Sequence, residues 1–227
     1  MQLDLDLDTT VRSSQRSFHL QLRFASNSSR IVIYGPSGAG KSMILKAIAG
    51  LQTPDSGHIR LNGRTLFDAA AGVNLAPQQR KLAYLFQDYA LFPHLTVRQN
   101  VGFGLARGWL NPRQGKHLEA VDHWLDTFHL QQLAHQFPDQ ISGGQRQRTA
   151  LARALAGAPG ALLLDEPFAA LDPQLRVKMR LELDLLQRRL KVPMIMITHD
   201  PDDAMLFGED VLYLRDGRID HVDRHDA

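Results

Sequence analysis

The sequence contains no cysteine. That excludes a disulfide framework, a thiolate nucleophile and a cysteine zinc site, and it allows a reducing compartment. It also lacks any long hydrophobic run. A membrane-spanning helix needs about 20 mostly apolar residues, and runs such as Ala161-Leu162-Leu163-Leu164 are far shorter. The first residues, Met1-Gln2-Leu3-Asp4-Leu5-Asp6-Leu7-Asp8, have neither the basic region nor the apolar core of a secretion signal. Their strict alternation predicts a half-exposed strand instead. No block of like charge is present: the 227 residues carry a formal net charge of +2, with basic and acidic side chains interleaved. This argues against a nucleic-acid partner. Internal repeats and low-complexity tracts are missing too. A soluble chain is expected, one that meets a membrane only through a partner.

The length suits one large α/β domain, or such a domain carrying an insertion. Three apolar runs, Ile31-Val32-Ile33-Tyr34, Ala161-Leu162-Leu163-Leu164 and Met194-Ile195-Met196-Ile197, predict buried parallel strands. Each runs into polar or glycine-rich residues, where an open α/β sheet places its ligand. Asn62-Gly63 after an extended run from His58, and Asp216-Gly217 after one from Val211, predict tight hairpins and hence antiparallel strands. From about residue 88 to 156 the pattern turns helical, with breakers at Pro93, Pro112, Gly115 and Pro138. This predicts a helical subdomain inserted into the sheet domain. A further helix is expected after Asp172, with Pro173 in its first turn and Leu175, Met179, Leu183 and Leu186 at helical spacing.

The chemistry begins at Gly35-Pro36-Ser37-Gly38-Ala39-Gly40-Lys41-Ser42, which matches G-x-x-x-x-G-K-[ST] in full between an apolar strand and a helical pattern from Met43 to Leu51. Glycines let the backbone wrap a phosphate with its N–H groups, and the helix N-terminus adds partial positive charge. Lys41 is expected to reach the β- and γ-phosphates and Ser42 to hold Mg²⁺. Asp165, closing an apolar strand, is the expected carboxylate partner of that cation, since a buried carboxylate is costly without one. Glu166 follows at once and can take a proton from an attacking water. Standing alone, an Asp-Glu pair would read as a surface acidic turn; after a full phosphate loop it is the expected partner. Ser142-Gly143-Gly144-Gln145, preceded by Ile141 and followed by a helix to about Ala156, reads as a second capped helix start and a second anion site; standing alone, it would read as a flexible turn before a capped helix.

The ordered set of the phosphate loop, Gln87, Ser142 to Gln145, Asp165-Glu166, Asp172 and His199 resembles the ATP-binding subunits of ABC transporters, over nearly the whole chain. The resemblance implies a P-loop NTPase core, a mixed sheet with flanking helices and an antiparallel part, interrupted by the helical subdomain that carries the signature loop. It implies ATP and Mg²⁺ as ligands. Glu166, His199 and Gln87 would then be catalytic, with Ser42, Gln87 and Asp165 around the metal. Ser142, Gly143, Gly144 and Gln145 would face the ATP of a second copy across an ATP-dependent homodimer, and Asp172 would belong to the interface loop. Singly, Gln87 also reads as a surface amide, Asp172 as a helix cap and His199 as a polar strand end.

The segments Leu61 to Asp68 and Pro77 to Val97 are most similar to bacterial importer ATPases of the molybdate, sulfate, iron(III) and polyamine branch. That implies ATP hydrolysis powering import, molybdate or a related oxyanion being one cargo. It further implies a permease partner docked near Leu91, Phe92, Pro93 and His94, a solute-binding protein as an indirect partner, and a place on the cytoplasmic face of the bacterial inner membrane. Non-transport ABC-type ATPases of DNA repair or ribosomes are the alternative; their long coiled-coil insertions or tandem domains are not seen here. Two departures stand out. No C-terminal regulatory domain is expected after Ala227, and no aromatic residue occupies positions 10–12, where the family stacks adenine. Phe18 is the nearest, yet Phe18, Leu20, Leu22 and Phe24 alternate like the core face of a strand.

Overall fold

The computed structural model describes residues 1–12, 17–105 and 118–225; Pro112 and Gly115, two of the expected breakers, lie outside them. Strands β1 (Leu3–Arg12) and β2 (Ser17–Ser26) open the chain as an antiparallel pair. Strand β3 (Arg30–Tyr34) leads into helix α1 (Lys41–Ala49). Strands β4 (Ser56–Leu61), β5 (Arg64–Asp68) and β6 (Val73–Asn74) follow, then the single turn α2 (Pro77–Arg80) and strand β7 (Leu82–Leu85). Helices α3 (Val97–Phe103), α4 (Leu118–Thr127) and α5 (Gly143–Ala156) come before β8 (Ala161–Asp165), with no strand among the described residues between β7 and β8. The chain continues through α6 (Pro173–Leu190), β9 (Met194–Thr198) and α7 (Pro201–Phe207) to the hairpin β10 (Asp210–Arg215) and β11 (Arg218–Arg224).

The strands form two sheets. One is antiparallel, in the order β2-β1-β4-β5-β6; the other runs β11-β10-β3-β9-β8-β7 and is parallel except for β11 at its edge. The three predicted apolar runs are β3, β9 and β8, side by side at the centre. They are apolar throughout because both faces are covered. Val32, Leu162, Leu164, Met194 and Met196 feed one core, packed with residues of α3 to α7. Ile31, Ile33, Leu163, Ile195 and Ile197 feed the other, shared with α1 and the antiparallel sheet. Side chains alternate across a strand, so adjacent residues serve opposite cores.

The first strand follows its pattern: Leu3, Leu5 and Leu7 are buried, and the aspartates between them are half-exposed. Both hairpin turns have two residues of positive φ, Asn62 (50°) with Gly63 (75°) and Asp216 (48°) with Gly217 (77°), the backbone that a twisted two-residue hairpin requires. Helix α1 starts at Lys41, ahead of the expected Met43, because Gly40 at φ 100° lets the loop turn directly into the helix. In α6, Asp172 accepts a hydrogen bond from the Leu175 N–H at 3.0 Å, and Met179 and Leu183 face the core. No helix among the described residues is long and apolar enough to cross a membrane.

Candidate active site

The site lies at the C-terminal ends of β3, β8 and β9, which bring residues far apart in sequence onto one edge of the parallel sheet. After β3 the chain turns through residues 35–40. Gly35 is required by space: a Cβ there would lie 2.3 Å from the Leu214 carbonyl oxygen of β10. The turn between β10 and β11 braces the same loop, with the Gly217 N–H donating to the Ala39 carbonyl at 3.1 Å. Pro36, Ser37 and Gly38 are exposed, and Ala39 is buried beneath them. The N–H groups of Gly38, Gly40, Lys41 and Ser42 have no acceptor among the described residues. They form a cluster of donors at the positive end of α1, which is what a phosphate group needs.

Lys41 is buried, and its ammonium donates to the carbonyls of Gly35 (2.8 Å) and Pro36 (3.0 Å). Burial pulls its pKa below the ordinary lysine value, opposed by the charges of Glu166 and Asp165. Glu166 Oε1 lies 3.8 Å from Lys41 Nζ, and its other oxygen lies 3.2 Å from His199 Nδ1. Glu166 also has a left-handed backbone, φ 46°, immediately after β8. His199 follows β9 directly and its side chain is 52% exposed, so it faces the space above Glu166. The Ser42 hydroxyl donates to Asp165 Oδ1 at 3.3 Å. Lys41, Ser42, Asp165, Glu166 and His199 therefore lie together as one group.

The residues fit Mg²⁺. No cluster of three or more His, Asp or Glu among the described residues could cage a metal. Mg²⁺ is ordinarily held by one or two protein oxygens together with phosphates and water, and the Ser42 hydroxyl and Asp165 carboxylate could supply such a pair. Gln87 sits exposed in the turn after β7, with no hydrogen bond to these residues. Ser142 caps α5, its N–H donating to Gln145 Oε1 (2.8 Å) while its Oγ accepts from the Gln145 N–H (3.3 Å). The following glycines pack near the start of α6: a Cβ at Gly143 would meet Leu171 at 3.4 Å, and one at Gly144 would meet Leu175 at 3.1 Å. Ser142 and Asp172 thus belong to adjoining loops, with Asp172 exposed.

Three features of the site were not anticipated. Tyr84 on β7 donates its hydroxyl to Asp165 Oδ2 at 2.7 Å. Arg180, buried in α6, pairs with Asp203 (2.5 Å), Asp200 (2.5 Å) and Asp202 (3.1 Å). Asp203 also accepts from the Thr198 hydroxyl at 2.6 Å, and the Asp200 N–H donates to that hydroxyl at 3.0 Å. His199 is therefore flanked on both sides by residues tied to Arg180. The third is Phe18: a Cβ at Gly40 would fall 3.0 Å from its ring, so the aromatic backs the phosphate loop from β2. Beyond the site, Arg153 of α5 donates to the carbonyls of Tyr89 (2.8 Å) and Ala90 (2.7 Å) and lies over the Phe92 ring. Leu91 and Phe92 are half-buried there; Pro93 and His94 are exposed.

The chain is 43% identical over 204 residues to the spermidine/putrescine import ATP-binding protein PotA of Oleidesulfovibrio alaskensis, covering 89% of this chain and 52% of that protein. It is 39% identical over 211 residues to the molybdenum import ATP-binding protein ModC of Paramagnetospirillum magneticum, covering 93% and 57%. The chain spans about half the length of the curated relatives it matches. A solved ATP-binding cassette, dimeric in a post-hydrolysis state with ADP and Pi, superposes with a TM-score of 0.81 over the whole of both chains at 28% identity. The family model described as ABC transporter matches residues 20–169, most of the chain, and the chain therefore belongs to the ABC transporter family as an ATP-binding cassette.

Proposed function

We propose that this chain is the ATP-binding and ATP-hydrolysing subunit of an importer, driving a membrane permease by closure and opening of a pair of identical cassettes. The observation that carries the reading is the convergence of Lys41, Ser42, Asp165, Glu166 and His199 on one sheet edge. The donors at the start of α1 and the Lys41 ammonium bind the phosphates. Ser42 and Asp165 would hold Mg²⁺, which screens phosphate charge during transfer. Glu166, fixed between Lys41 and His199, accepts the proton of the attacking water, and His199 orients that water. Gln87 would close over the same space from the turn after β7. Ser142, Gly143 and Gly144 would complete the site of the opposite copy, with Asp172 beside them at the interface.

Leu91 to His94 would receive the permease, which would hold the subunit at the cytoplasmic side of the membrane. The relatives' names include polyamine and molybdenum import. Coverage of this chain is fuller for the molybdenum relative, and an oxyanion such as molybdate is the cargo to test first. The test of the central reading is Glu166→Gln. The amide cannot take a proton, so steady-state hydrolysis should fall by about 10²–10⁴-fold, while nucleotide binding persists and an ATP-bound dimer accumulates on size exclusion. Near wild-type turnover would remove Glu166 from the mechanism.

A further inference from the structure

Asp165 is held at both oxygens. Ser42 Oγ approaches Oδ1 at 3.3 Å, and Tyr84 donates to Oδ2 at 2.7 Å. Asp165 as a whole is only 8% exposed. A phenol at this point has specific chemical consequences. It is neutral and donates one proton, so it satisfies one oxygen without cancelling the carboxylate charge, as a lysine would. It also fixes the plane of the carboxylate, leaving Oδ1 turned toward the Ser42 hydroxyl.

Tyr84 is not an isolated packing residue on its strand. Its ring lies 4.4 Å from that of Phe86, tilted by 38°, and Phe86 is followed immediately by Gln87. Strand β7 pairs in parallel with β8, Tyr84 opposite Leu163 and Leu85 opposite Leu164. The backbone register thus delivers the phenol to the end of β8 where Asp165 stands. We propose that Tyr84 is the positioning residue of the metal-site carboxylate: it aims Asp165 Oδ1 at the place where Ser42 would share a cation, and so sets the Mg²⁺ affinity of the nucleotide complex. This rests on Asp165 being a cation-holding residue, as proposed above.

The test is the isosteric Tyr84→Phe, which removes one oxygen. Binding of a fluorescent ATP analogue is titrated with MgCl₂, separately from turnover, and repeated in Asp165→Asn and in the double variant. Loss of a hydrogen bond that orients a metal ligand typically costs 10–100-fold in metal affinity. The Mg²⁺ concentration for half-maximal binding should therefore rise about tenfold in Tyr84→Phe. In the Asp165→Asn background the same change should produce no further rise, because both substitutions act through one carboxylate. An unchanged Mg²⁺ requirement in a folded Tyr84→Phe, with Asp165→Asn impaired, overturns the proposal and leaves the reading of Asp165 intact. An unchanged requirement in Asp165→Asn as well would overturn both. Additive effects in the double variant would show that Tyr84 acts through packing and would also refute the role. Should Tyr84→Phe unfold, Tyr84→His, which retains a ring N–H donor, must fold and show a smaller rise than Asp165→Asn, or the proposal fails.

Discussion

Replacing Arg180 by methionine should destabilise the fold in a pH-dependent way. The guanidinium side chain is 8% exposed and meets Asp203, itself 4% exposed, and Asp200, 22% exposed. Methionine fills much of the volume but leaves Asp203 with only the Thr198 hydroxyl. Breaking a buried pair on one side costs about 3–5 kcal/mol, against a total stability of about 5–15 kcal/mol for a typical domain. For a chain of this length that corresponds to a fall in melting temperature of about 10 °C. The sign of the pH dependence follows from Asp203. Burial already raises its pKa above the ordinary carboxylate value, even against the opposing pull of Thr198 and Arg180. A raised folded pKa means that ionisation costs stability as pH rises through it, and protonation restores that stability.

Removing Arg180 raises this pKa further. Asp200 rises too: burial opposes its charge, but the Asp202 N–H, Arg180 and Arg176 at present hold its pKa down, and Arg176 alone would remain of the two arginines. The penalty must therefore shrink on acidification, by up to about 1.4 kcal/mol per pH unit for each group that becomes protonated. Urea unfolding of wild type and variant at pH 7.5 and pH 5.5 measures both quantities. A difference below about 1 kcal/mol at pH 7.5, or one that is equal at the two pH values, would refute the reasoning.

Ser142→Ala removes the hydroxyl acceptor of the α5 cap and should cost about 1 kcal/mol in unfolding free energy; it should also weaken ATP-driven self-association on size exclusion while leaving nucleotide binding by a single copy nearly intact. Equal loss of single-copy affinity would instead assign the loop to its own phosphate site. ATP and GTP should bind with similar affinity in equilibrium titrations, because Gly35 to Ser42, as proposed, would grip only phosphates; Val11 and Arg12 are exposed and not aromatic. A strong ATP preference lost in a folded Phe18→Ala would make the ring behind Gly40 the adenine platform.

The residues proposed to meet phosphate or water were picked out because each stands in a contiguous motif whose spacing is dictated by backbone geometry. Eight consecutive residues encode the phosphate loop, and an apolar strand followed by Asp-Glu encodes the carboxylates. Hairpins and caps were legible for the same local reason. The groups that hold those residues in place were not. A tyrosine in a short apolar strand reads as packing, and only the register of β7 against β8 puts its hydroxyl at Asp165. Arg180 and the aspartates at 200, 202 and 203 are separated by a helix and a strand, and in sequence they read as charges on a solvated surface. Phe18 was assigned correctly to the core face of β2, but its contact with Gly40 depends on how the two sheets stack around α1.

Helix α1 buries most of its residues, Lys46 alone being exposed. Ile44, Leu45 and Ile48 are fully buried in the core that joins α1 to the leucines of β1 and β2 and to the inward faces of β3, β8 and β9. Its first turn is fixed by the loop brace from Gly217, and its end by Arg80, whose guanidinium donates to the carbonyls of Ala47 and Ile48 at 2.7 and 2.8 Å. In mechanical terms the phosphate grip is a stator. Shifting it would unseat interdigitated side chains on both sides at once, and close-packed interiors resist such strain. Under the proposed function, the stroke that nucleotide drives would fall to the parts on the opposite face of the parallel sheet, the turn after β7 and the helices beyond it, which would swing about that grip.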